Sequence, residues 1–83
     1  MTSAADQWLA TVRREPRSWL VTKLHATIAD CRRRGGDYAQ LAASDERIVA
    51  EHRPSGPGDD AACTACVGER WPCGLIASVL APG

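Results

Sequence analysis

The sequence predicts an all-α fold: a small helical domain of about three helices plus a short C-terminal helix, stapled by a metal knuckle. Three observations carry that prediction. Apolar residues recur at helical spacing in successive segments, and no segment alternates well enough to be a strand. Serine, proline and paired glycines punctuate those segments where helices should start and stop. A histidine and three cysteines gather between positions 52 and 73.

The elements follow in order. Ser3 followed by Asp6 reads as a capping box, opening a short helix with Trp8, Leu9 and Val12 on one side. Pro16 ends it and suits the first turn of the next helix. That second helix shows the clearest stripe, with Leu20, Leu24, Ile28 and Cys31 at i, i+4, i+8 and i+11. Arg32, Arg33 and Arg34 occupy its last turn, where cations suit the helix dipole, and Gly35-Gly36 stop it.

Asp37 with Gln40 gives a second capping signal. Tyr38, Leu41, Ala42, Ile48, Val49 and His52 then fall roughly on one face, with Ser44-Asp45 as a possible interruption and Pro54 as the limit. The stretch RPSGPGDD, 53–60, is a loop by composition. Beyond the cysteines, Leu75, Ile76, Val79 and Leu80 make a last apolar helical turn or two. The whole is one domain, 1–83. Its helical part is 1–52, its loop 53–62, and its knuckle and C-terminal helix 63–83.

The apolar content is thinner than its 45% suggests. Fourteen of those residues are alanine and four are cysteine, and Phe is absent. A domain of 83 residues with so few large side chains usually needs a metal, disulfides or a partner. No apolar run approaches the ~18–20 residues of a membrane span. The start, MTSAADQW, has no charged n-region and no apolar h-region, so a cytoplasmic chain with reduced or metal-bound cysteines is expected. The net charge of zero argues against a general nucleic-acid coat. It conceals an asymmetry: residues 1–40 carry seven bases and four acids, and 41–83 three bases and six acids.

The segment from His52 to Cys73 carries the chemistry. Cys63 and Cys66 are spaced C-x2-C, which forms a tight knuckle with both thiolates on one ion. Thr64 and Ala65 between them are small enough not to crowd it. Zinc takes four tetrahedral N/S ligands, and His52, Cys63, Cys66 and Cys73 supply that set. His52 sits at a helix end on its apolar face, and Cys73 opens the last helix. The ordinary alternative for His52 is a helix-end ring bonding free carbonyls; for Cys73 it is a small buried hydrophobe.

The pattern H-R-P, loop, C-x2-C, spacer, W-P-C and apolar helix resembles a small domain of actinobacterial and actinophage proteins of unknown function. The matching residues are His52, Pro54, Cys63, Cys66, Trp71, Pro72 and Cys73, and the likeness covers about the last 35 residues. It implies a metal site and no particular activity.

A second quartet, Cys31, Cys63, Cys66 and Cys73, is similar in order to the WhiB-like regulators. That resemblance implies a [4Fe–4S] cluster, redox sensing and a sigma-factor partner. Here six residues separate the last two cysteines where that family usually has five, and the G-[VI]-W-G-G turn and basic tail are missing. The competing place for Cys31 is the core, on the Leu24–Ile28 stripe.

The remaining candidates are weaker. Cys63-Thr64-Ala65-Cys66 as a redox pair would want a βαβ setting that the sequence lacks. Arg32, Arg33 and Arg34, with Arg13, Arg14, Arg17 and Lys23, offer a basic face for phosphate contacts or simply a solvated helix end. Trp8, Trp19 and Trp71 read as core or interface anchors, Trp71 as a lid over the knuckle. His25 falls off the stripe and should be exposed. No catalytic triad, carboxylate pair or phosphate loop can be drawn, and a four-ligand zinc leaves no open position. The expectation is therefore a regulatory interaction module without catalysis, its protein or nucleic-acid partner unidentified.

Overall fold

The computed structural model describes residues 3–58 and 60–81. Its elements are four helices: α1 (Ala4–Arg13), α2 (Arg17–Arg34), α3 (Asp37–Glu51) and α4 (Gly74–Leu80). Among the described residues the only β pairing is two isolated antiparallel bridges around the cysteine knuckle, Pro54 with Cys63 and Ala62 with Arg70. The fold is all-α, as the periodicity predicts.

Each helix begins and ends for a local reason. The Ser3 hydroxyl accepts from the Asp6 amide at 3.1 Å and caps α1. Pro16 stands just outside α2 as its N-cap, extended at ψ 145°, and its carbonyl takes the first helical bond from Leu20 at 3.1 Å. Gly35 and Gly36 adopt φ of +68° and +57°, a turn that side chains with a Cβ resist, so α2 stops and α3 starts within two residues.

Helix α2 is the spine. Leu20, Leu24, Ile28 and Cys31 are all buried along one stripe. Its N-terminal half joins the larger core cluster, where Leu20 and Leu24 meet Val12, Trp71, Ile76, Ala77 and Val79. Its C-terminal half forms a second, smaller cluster of Ile28, Cys31 and Ala42. Helix α1 lies against α4, and the Trp8 indole Nε1 donates to the Ala77 carbonyl at 2.7 Å.

Several expectations need correction. Helix α3 runs unbroken through Ser44-Asp45, because Asp45 lies on the buried face with Ala42 rather than breaking out to cap. The Asp37–Gln40 cap does not form: Gly36 is the N-cap and no side chain caps that end. Tyr38 and Leu41 are about half exposed, at 47% and 48%, because close approach of α2 and α3 occurs at the small Ala42. Tyr38 instead lies under the Arg34 guanidinium, 5.2 Å from the ring centroid. Trp19 is no core anchor, being 48% exposed. His25 is exposed, as expected. Asp59 of the 53–60 loop lies outside the described residues.

Candidate metal centre

Three chain segments converge on one point beside the larger core cluster. The first is the C-terminal end of α3, where His52 is the C-cap and its amide donates to the Ile48 carbonyl at 2.9 Å. Its side chain is buried at 8% exposure. The second is the knuckle. The Cys63 amide donates to the Glu69 carbonyl at 2.9 Å, and Gly68 turns the chain between them at φ +79°. The third is the N-cap of α4, which is Cys73, with no measurable exposure.

Thr64 joins the first two segments. Its hydroxyl donates to the Glu51 carbonyl at 3.0 Å and accepts from the Arg53 amide at 3.2 Å. Its own amide donates to the Arg53 carbonyl at 2.9 Å. One side chain thus satisfies an end carbonyl of α3 and sets the knuckle beneath it. Sequence reasoning had credited Thr64 only with being small.

Trp71 closes the other side. It is buried, and its indole Nε1 donates to the His52 carbonyl at 2.8 Å. Trp71 is therefore a core residue and a hydrogen-bonded brace on a site residue. Arg17 lies over its ring, 5.9 Å from the centroid. Arg17 also donates to the carbonyls of Gly56 and Gly58, the first at 2.6 Å. Arg13 donates to the carbonyls of Pro72, at 3.0 Å, and Arg70, at 3.2 Å. Two arginines of the N-terminal half thus strap the loop and the knuckle segment to the helices. The sequence showed only their charge.

The resulting donor set is compact. His52 Nδ1 lies 3.4 Å from the Sγ of both Cys63 and Cys66, and 3.5 Å from that of Cys73. All four candidate ligand atoms fall within 4.8 Å of one another. Zinc–sulfur and zinc–nitrogen bonds of about 2.3 and 2.0–2.1 Å at tetrahedral angles give N···S edges of about 3.6 Å. The observed N···S edges are close to that value, so the four residues could hold a metal ion. None of the cysteines is in a disulfide. Cys31 does not join the group; it belongs to the second cluster with Ile28 and Ala42.

The electrostatics of the group agree. Burial disfavours a Cys63 thiolate, but an amide hydrogen bond from Ala65 and bonds from His52, Cys66 and Cys73 outweigh it, lowering Cys63 to about 7. Cys66 is pushed up to about 12 by desolvation, by hydrogen bonds to Cys63, Glu69 and Cys73, and by the charge on Cys73. Packed sulfurs share negative charge badly without a cation. A divalent metal removes that conflict by taking thiolates as ligands.

The arginine triplet at the end of α2 is spent on ion pairs. Arg32 pairs with Glu46, and Arg33 and Arg34 both pair with Asp30, at 3.4 and 3.0 Å. No described helix is long and apolar enough to cross a membrane. The chain matches no family model, no curated protein and no solved structure.

Proposed function

We propose that this chain is a small zinc-binding interaction module, regulatory and non-catalytic, that presents its surface to a protein or nucleic-acid partner. The observation that carries the reading is the convergence of the ligand atoms of His52, Cys63, Cys66 and Cys73 within 4.8 Å of one another. One imidazole and three thiolates are a donor set of structural zinc sites, and four protein ligands leave no position for a reacting water. Bound there, zinc neutralises the thiolates and crosslinks the end of α3, the knuckle and the start of α4. The likeness to the H-x-P, C-x2-C, W-P-C domains points the same way, toward a metal site rather than an activity.

Metal content and the visible spectrum of anaerobically purified protein test the reading. One zinc per chain and no iron–sulfur absorbance are expected. His52→Ala should lose tight metal binding and Cys31→Ser should keep it. Metal loss in Cys31→Ser with retention in His52→Ala would overturn the ligand set and favour the four-cysteine cluster.

A further inference from the structure

The chain's positive charge is partly compensated at one end of α2 and less so at the other. Arg32 faces Glu46, while Arg33 and Arg34 share Asp30, so three cations meet two carboxylates. At the opposite end, Arg13, Arg14, Arg17 and Arg70 line a cleft of about 600 Å³ beside Trp71 and Pro72. A neighbouring cavity of about 400 Å³ shares Arg13, Arg14 and Arg70, so the basic lining continues past the first cleft.

Few acids oppose it. Glu15 is the one carboxylate on the wall of the first cleft, and Asp6 lies on the second. Arg70 has a contact with Asp60, but at 3.9 Å and with the aspartate almost fully exposed, which screens it heavily. The hydrogen bonds of Arg13 and Arg17 go to backbone carbonyls, which satisfy donors without cancelling charge. Four permanent cations therefore face one cleft in a chain whose net charge is zero.

We propose that this cleft binds the phosphate groups of a ligand. Arg14 and Arg70 make the direct contacts, because both are exposed and neither side chain donates to a backbone carbonyl of a described residue. Arg13 and Arg17 fix the walls and add charge. Planar guanidinium forks bind phosphate oxygens in pairs, which makes arginine the suitable cation here. The proposal deepens the interaction-module reading and rests on the metal centre in one respect. Arg70, Trp71 and Pro72 run directly into Cys73, so one wall of the cleft is the ligand-bearing segment itself.

Phosphate can come from a free phosphate compound or from a nucleic-acid backbone, and two probes separate them. Zinc-loaded protein, its metal content measured on the same sample, is titrated with inorganic pyrophosphate by calorimetry and with a labelled single-stranded oligonucleotide by anisotropy. Binding of pyrophosphate alone assigns the cleft to small phosphate ligands; binding of the oligonucleotide alone assigns it to a phosphodiester backbone.

Arg14→Gln/Arg70→Gln should weaken whichever probe binds by about tenfold or more. For the oligonucleotide it should also flatten the salt dependence by about 1.4, roughly 0.7 for each phosphate that is no longer neutralised. Arg32→Gln/Arg33→Gln/Arg34→Gln removes more charge, yet should change affinity less than about threefold, since those cations line neither cavity and share two carboxylates. If the double variant misfolds, Arg14→Gln alone decides. Its side chain makes no hydrogen bond with a described residue, and a loss of about threefold or more is expected.

Zinc-loaded wild-type protein that binds neither probe overturns the proposal, as does equal weakening by the two multiple variants. Protein that takes up no zinc yet still binds through Arg14 and Arg70 would retain the cleft and sink the zinc reading.

Discussion

Lowering the pH from 8 to 6 should weaken zinc binding by at least about a thousandfold. Zinc takes thiolates, so protons compete with it for the same sulfurs and affinity rises with pH. In the metal-free fold Cys63 ionises at about 7 and Cys66 at about 12. Between pH 8 and pH 6 the thiolate fraction therefore falls about tenfold at Cys63 and about a hundredfold at Cys66. The two factors multiply. The Cys63 contribution saturates above about pH 7, whereas that of Cys66 continues toward its own, higher value. The slope of log affinity against pH should accordingly fall by about one across neutrality. Competition against a chromophoric chelator, corrected for the chelator's own protonation, measures this directly. A change of tenfold or less over the interval would mean that the sulfurs are already thiolates without metal, and the reasoning would fail.

Two further substitutions probe the fold around the site, both read by chemical denaturation in excess zinc. Ile76→Ala empties a fully buried position and should cost about 2–5 kcal/mol, while Trp19→Ala, at a half-exposed ring, should cost about 1 kcal/mol or less. Equal losses would show that the core is misplaced. Trp71→Phe removes the indole donor to the His52 carbonyl and shrinks a buried ring, and should cost about 1–3 kcal/mol or more while leaving the metal content intact. Loss of the metal would instead make that bond a condition of metal binding.

The His52, Cys63, Cys66 and Cys73 cluster was legible in the sequence because C-x2-C spacing is a local constraint and because His52 shares the helix face of Ile48 and Val49. The α2 stripe was legible for a similar reason: one helix face needs only its own periodicity. The register of α3 was legible only in part. Its buried line runs through Ala42, which the predicted face includes, and through Asp45, an acid to which a hydrophobic pattern gives no weight. Tyr38 and Leu41 looked like core by size, but the packing of α2 on α3 at Ala42 leaves them outside. Least legible were the straps. Arg13 and Arg17 bond backbone carbonyls 39 to 59 residues away, and a carbonyl is the same at every position in a sequence. The phosphate-facing role proposed for Arg14 and Arg70 depends on that same long-range closure.

Helix α1 has the weakest hold of the four. At ten residues it is too short to persist alone, and Val12 is its one fully buried side chain among the described residues. Three long-range hydrogen bonds tie it down: one from Trp8 to Ala77, and two from Arg13 to the carbonyls of Arg70 and Pro72. Two of the three therefore end on the segment that leads into Cys73. If the proposed metal is bound there, its loss should loosen that segment and with it two of the three tethers on α1. The helix would then be the region of lowest local stability, and its opening would bare part of the core cluster that holds Ile76, Ala77 and Val79 of α4. Occupancy of the proposed centre, formed by residues 52 to 73, would in this way be felt by a helix that contributes no ligand to it.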